Sequence, residues 1–151
     1  MYSEDVIELT RKLLSFDTVN PPGNEGTVAT FLGGILSANG FNVGYIPFES
    51  GRLSLIADKG LDDTVFPVVF TGHFDTVPLG AKSWSSDPFG GEIKDGRLYG
   101  RGSSDMKGGL AAMIIAAISS FREGRPRGGV RLVLTAAEEL GCHGAKGLAA
   151  G

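Results

Sequence analysis

Three short segments place acidic side chains where an apolar, strand-like run gives way to a glycine-rich turn. They are Gly72-His73-Phe74-Asp75-Thr76-Val77-Pro78, Gly100-Arg101-Gly102-Ser103-Ser104-Asp105-Met106-Lys107-Gly108-Gly109 and Thr135-Ala136-Ala137-Glu138-Glu139-Leu140-Gly141. Strand ends of this kind are where α/β folds carry their chemistry, so the segments constrain fold and function together. They supply one imidazole and four carboxylates, from His73, Asp75, Asp105, Glu138 and Glu139. A hard, oxygen-rich set with a single nitrogen donor suits a pair of divalent ions sharing a carboxylate.

The rest of the chain supports an α/β reading. Val6, Ile7, Leu9, Leu13 and Leu14 follow Ser3 at helical spacing, with the serine as a cap. Pro21-Pro22-Gly23 ends that unit. Asn24 or Glu25 opens a second helix, with Val28, Phe31, Leu32, Ile35 and Leu36 on one side and Asn39-Gly40 as its stop. Phe41 to Ile46 and Leu53 to Ala57 read as outer strands, whereas the continuous apolar run Val65 to Phe70 predicts a strand buried on both faces. Asp95-Gly96 between Lys94 and Arg97 marks a two-residue hairpin turn. Met106 to Phe121 predicts a buried helix, Val130 to Thr135 an interior strand, and a last helix begins near Gly144. Alternating strands and helices predict a mixed, largely parallel sheet flanked by helices.

Composition narrows the function. At 151 residues, one domain that buries about 70% of its unfolded surface is the default. A net charge of -3 offers no basic stripe for nucleic acid. Arg122, Arg125, Arg127 and Arg131 cluster, but as a solvated loop between a helix and a strand. The single cysteine fits a reducing, cytoplasmic compartment, and the N-terminus lacks the basic and apolar regions of a signal peptide. The longest apolar run, Leu110 to Ile118, is far shorter than the roughly 20 residues of a membrane span.

Taken alone, each site residue has a plain structural alternative. His73 and Asp75, two apart on an extended chain, share a face; they read as a histidine satisfied at a strand end or as a ligand with its supporting acid. Asp105 stands just before a helix, where an aspartate serves as a cap or as a ligand. Glu138 and Glu139 are adjacent like charges, which burial makes costly without cations but which the start of a helix tolerates. Lys107 fits neither a Walker loop nor a dinucleotide fingerprint, and no Gly-x-Ser-x-Gly elbow is present. Cys142 reads as a small packed residue and His143 as a partly exposed one. Trp84, Asp87, Pro88 and Phe89 shape a wall near the site or form an ordinary surface loop with an apolar anchor.

In order and wording the three segments, with Thr18-Val19-Asn20-Pro21-Pro22-Gly23-Asn24-Glu25 ahead of them, resemble the M20 family of zinc-dependent deacylases and peptidases. The wording is nearest to its acetylornithine deacetylase and succinyl-diaminopimelate desuccinylase members. The resemblance implies that His73, Asp105 and Glu139 bind metal, with Asp105 bridging two ions, and that Glu138 is the general base. It also implies that Asp75 receives the second ring hydrogen of His73 and that the peptide bond after Asp105 is cis. The implied cofactors are two divalent ions, zinc first, with cobalt or manganese as alternatives. The implied reaction is amide hydrolysis of an N-acyl amino acid or short peptide by a metal-bridging hydroxide.

Members of that family continue past the double glutamate through another acidic ligand, a lid or dimerisation domain and a last histidine ligand, whereas this chain stops at Gly151. The expectation is therefore a partial catalytic domain, residues 1–151, with weak metal retention, a tendency to oligomerise through uncovered apolar surface, and negligible turnover of the isolated polypeptide. Two alternatives stay open: a non-catalytic metal-binding or interaction-competent remnant, and an aminopeptidase or carboxypeptidase on the same scaffold.

Overall fold

The computed structural model describes residues 2–124 and 126–149, with side chains from Asp5 onward; the Ser3 side chain, Arg125 and Gly151 lie outside the described residues. Helix α1 (Tyr2–Leu14) buries Leu9, Leu13 and Leu14, and α2 (Glu25–Ala38) buries Val28, Ala29, Leu32 and Leu36. The second helix stops at Asn39 and Gly40, where the glycine turns with φ of 79°. Strands β1 (Asn42–Glu49), β2 (Arg52–Lys59) and β3 (Val68–His73) follow, then the small hairpin β4 (Glu92–Lys94) and β5 (Arg97–Tyr99). Asp95 and Gly96 close that hairpin with φ of 50° and 72°, the left-handed pair that a two-residue turn of this twist requires.

A kinked turn, Ser103–Lys107, leads into α3 (Gly108–Glu123), and β6 (Val130–Thr135) and α4 (His143–Ala149) complete the chain. Helix α3 thus starts at Gly108 rather than at the expected Met106, because Asp105 and Met106 adopt non-helical dihedrals inside the kink. Leu55, Ala57, Leu132 and Leu134 of the sheet meet Leu110 and Ile114 of α3 and the buried faces of α1 and α2 in one core.

The main sheet runs β1-β2-β6-β3, with β1/β2 and β2/β6 antiparallel and β3/β6 parallel. It is the mixed, helix-flanked α/β sheet expected, with the antiparallel pairings outnumbering the parallel one. Two strand placements differ from expectation. Strand β2 is interior, hydrogen-bonded on both sides, whereas β3 is an edge strand among the described residues. An apolar run reports hydrophobicity and says nothing of which neighbours cover it: Val68 and Val69 of β3 are half exposed, and Phe66 just ahead of it is 96% exposed. The edge position has a positional consequence for chemistry. Because β3 and β6 run parallel, with His73 paired to Thr135, their carboxyl ends deliver His73 and the 136–139 loop to the same end of the sheet.

Candidate functional site

His73 is the last residue of β3, buried, and its Nε2 lies 3.1 Å from Asp105 Oδ1 and 3.7 Å from Glu138 Oε2. One ligand atom from each of His73, Asp105 and Glu139 falls within 4.8 Å of the others. Val77, Gly102, Ser103, Asp105 and Glu139 line an open hollow of about 240 Å3 at this point. Asp105 reaches it because the chain kinks there: Gly102, with φ of 86°, turns the backbone, and the Asp105–Met106 peptide is cis, at the bond where the resemblance placed one. Glu138 and Glu139 reach it from the loop after β6, where Ala137 is left-handed with φ of 54°.

Behind this face lies a buried polar layer. Asp75 is wholly inaccessible and accepts hydrogen bonds from Asn20 Nδ2 at 2.7 Å, Glu138 N at 3.0 Å and Glu139 N at 3.1 Å. The His73 Nδ1 faces the Asp75 carbonyl oxygen at 3.0 Å, with the carboxylate farther off at 3.5 Å. Asp75 therefore does stand behind His73. The nearer acceptor, however, is its backbone, and its carboxylate chiefly holds the loop that carries the two glutamates. Burial disfavours its charge, but the nearby His73 ring and the hydrogen bonds from Asn20 and the two loop amides win and lower its pKa from 3.8 to about 2. The same competition acts on His73: burial opposes its charge, the Asp75 carboxylate and carbonyl and the charge of Glu138 favour it, and its pKa rises to about 9. Glu139 is raised, by burial first and by the neighbouring Asp105 charge second.

An acidic cluster that holds a proton on its only imidazole is one that a divalent cation would relieve. The donor set, one ring nitrogen and carboxylate oxygens, fits such an ion.

Several supporting residues received no site role from the sequence. Glu25 and Arg52 form a buried two-point ion pair, with Nε donating to Oε2 at 2.9 Å and Nη2 to Oε1 at 2.7 Å. Lys107, read only as a failed phosphate lysine, is buried and donates from Nζ to Phe16 O at 2.7 Å. Burial lowers its pKa to about 8, against the pull of Asp17. A hint was available: Glu25 and Lys107 are charges set inside otherwise apolar or glycine-rich stretches, where solvated charges are not needed.

Other expectations sort plainly. Cys142 is exposed and not packed; it takes a left-handed turn position, with φ of 58°, and its thiol points out to Glu138 Oε1 at 3.4 Å. His143 is exposed at the first turn of α4, with its ring 6.3 Å from that of Phe48. The Trp84 ring lies under the Arg101 guanidinium at 5.2 Å, and Arg101 N donates to Pro88 O at 2.7 Å, so this loop backs a residue lining the hollow. Of the arginine group, Arg122 and Arg127 are solvated, but Arg131 lies on β6 and forms a two-point pair with Asp58. No helix among the described residues is long and apolar enough to cross a membrane.

Comparison with known proteins places the chain in a family. The chain is 44% identical over 141 residues to succinyl-diaminopimelate desuccinylase 2 of Ruegeria sp. (strain TM1040), a match covering 93% of this chain and 35% of that protein. It is 41% identical over 145 residues to the succinyl-diaminopimelate desuccinylase of Rhodospirillum centenum, covering 89% and 36% respectively. The chain thus spans about a third of the length of these relatives. Among solved structures, human carnosine dipeptidase 1 superposes with a TM-score of 0.80 at 25% identity, over 96% of this chain and 34% of that one. The family model for peptidase family M20/M25/M40 matches residues 69–151, more than half of the chain and the whole stretch that carries His73, Asp75, Asp105, Glu138 and Glu139, and the chain belongs to that family.

Proposed function

We propose that the protein carrying this chain is a metal-dependent amide hydrolase that removes acyl groups from N-acyl amino acids, N-succinyl substrates first, in the cytoplasm. The carrying observation is the convergence of His73, Asp105 and Glu139 within 4.8 Å, with Glu138 beside them. The chain's similarity to two desuccinylases supports the acyl class. His73, Asp105 and Glu139 would hold the metal, with zinc as the first candidate and cobalt or manganese also suiting the donors. When bound, such ions polarise an amide carbonyl and bring the pKa of water to about 7.

The chain's own residues do the rest. Glu138, at the rim with its side chain 39% exposed, is placed to take a proton from the attacking water at one carboxylate oxygen and return it to the departing amine. Asp75 holds Nδ1 of His73 through its carbonyl and fixes the glutamate loop through its carboxylate, so the ring and the base keep one relative position. Gly102 and Ser103, both small, line the hollow beside Asp105 and Glu139.

The test pairs Glu138→Gln with Glu139→Gln in the protein encoded by the complete reading frame. Glu138→Gln keeps shape and loses the base, so it should retain metal while turnover falls by about a hundredfold to ten-thousandfold. Glu139→Gln should lose metal first. Elemental analysis after dialysis, with turnover measured on N-succinyl and N-acetyl amino acids and on dipeptides, separates the roles and the substrate classes. Equal metal loss in both variants refutes the division of labour, and turnover of dipeptides alone favours the peptidase reading.

A further inference from the structure

The glutamate loop is suspended by its backbone. Four successive amides donate to side chains from three other parts of the fold: Ala136 N to Ser54 Oγ at 3.0 Å, Ala137 N to Glu25 Oε1 at 3.1 Å, and Glu138 N and Glu139 N to the Asp75 carboxylate. The Glu25 contact falls on Ala137, the residue whose left-handed backbone turns the chain from β6 so that both glutamates face His73. A non-glycine residue adopts that conformation at a cost and needs its surroundings to hold it.

Glu25 is fully buried at the start of α2, where the helix N-terminus favours its charge, and Arg52 on β2 grips both of its oxygens. Arg52 is itself confined: Phe48 lies under its guanidinium at 5.3 Å, and Gly23 is close enough that a Cβ there would strike the guanidinium. The hydrogen bond to Glu25, together with the Glu25 and Glu49 charges, outweighs burial and keeps the arginine pKa raised. The Asn20–Glu25 segment therefore has two anchors behind the site: Asn20 on Asp75, and Glu25 on Ala137.

We propose that Glu25, fixed by Arg52, is a positioning residue: by accepting the Ala137 N–H it sets the turn that aims Glu138 and Glu139 into the site. The inference rests on the hydrolase reading for what the glutamates do, but the positioning itself is a property of the chain. It differs from a plain stabilising role for the ion pair, because replacing a buried pair by apolar side chains is often neutral or stabilising. What cannot be replaced is the acceptor for Ala137.

Two double variants separate these roles. Glu25→Met with Arg52→Met removes the pair and the acceptor; Glu25→Gln with Arg52→Met removes the pair but leaves a carbonyl oxygen for the amide. The readouts are exchange rates of the Ala137, Glu138 and Glu139 amides, zinc affinity by calorimetry and the urea midpoint. The Met/Met protein should exchange the Ala137 amide at least about tenfold faster and bind zinc about 10- to 100-fold more weakly, as expected when support behind a ligand is lost, while Gln/Met stays within about threefold of the parent.

Stability should rank the other way, with Met/Met at least as stable as Gln/Met, which buries an unpaired amide group. A merely structural role would move stability and site properties together. Equal exchange and equal affinity in the two variants overturn the proposal. With the protein encoded by the complete reading frame as parent, absence of zinc binding overturns the hydrolase reading instead, and the contrast in amide exchange still decides the role of Glu25.

Discussion

Asp75→Asn removes a charge that the structure has surrounded with donors. The carboxylate is wholly inaccessible and takes three hydrogen bonds, from Asn20 and from the amides of Glu138 and Glu139. Its pKa falls from 3.8 to about 2, and at about 1.4 kcal/mol per pKa unit the charged form contributes roughly 2 to 3 kcal/mol to folding. An asparagine keeps one acceptor oxygen and turns a second donor toward donors already there, so the metal-free variant should lose about that much stability at pH 6 to 7.

The sign with pH is fixed by the direction of the shift. A depressed carboxyl contributes fully above its ordinary value and loses the contribution as pH falls through its folded value, so about half of the gap between parent and variant should be gone by pH 3. Urea unfolding in EDTA at pH 6.5 and pH 3, with the His73 ring followed by NMR, measures both ends. The ring pKa should drop from about 9 toward 6.5 in the variant, since the Asp75 charge that raises it is lost while burial remains. A gap under about 0.5 kcal/mol at pH 6.5, or one that does not narrow by pH 3, refutes the account of Asp75 as the anchor of the loop.

His73 carries a raised pKa, so its contribution to metal-free stability is complete below 6.5 and lost as pH climbs through about 9. Zinc binding at pH 7 should accordingly release about one proton from the ring, seen as a dependence of calorimetric heat on buffer ionisation enthalpy, and affinity should rise with pH up to about 9. Phe66, at 96% exposure beside the half-exposed Val68 and Val69, should make the β3 edge a site of self-association. Phe66→Ser should reduce the mass seen by light scattering while leaving the unfolding free energy from urea titration within about 0.5 kcal/mol of the parent.

Local order was legible wherever a residue's own chemistry decides its conformation. Asp95-Gly96 forms a tight hairpin because both residues tolerate positive φ, and Asn39-Gly40 ends α2 for the same reason. Val130 to Thr135 was legible as an interior strand, since its alternate residues Val130, Leu132 and Leu134 are buried and apolar. Strand order was not. Val65 to Phe70 is more apolar than Leu53 to Ala57, yet β2 takes the interior position; its buried face includes Arg52 and Ser54, polar residues that serve the glutamate loop. Hydrophobic pattern measures what a strand would gain from cover, while partner choice depends on the crossover that brings β6 between β2 and β3.

The site divides along the same line. His73, Asp105, Glu138 and Glu139 were marked as candidates by ligand-type side chains at strand ends, their roles came from the resemblance to the M20 family, and the structure brings all of them to one end of the sheet. The support behind them was hidden because each contact joins distant positions: Asn20 to Asp75 spans 55 residues, Glu25 to Ala137 spans 112, and Lys107 to Phe16 spans 91. No periodicity encodes such pairs. What can be read is the anomaly that each leaves, a charge or amide in a stretch otherwise built for a core, since burying such a group is costly unless a partner waits there. Glu25, first residue of an apolar helix, and Arg52, at the head of a buried strand, are two halves of one such anomaly, and the Glu25 oxygen that accepts from both Arg52 and Ala137 ties it to the glutamate loop.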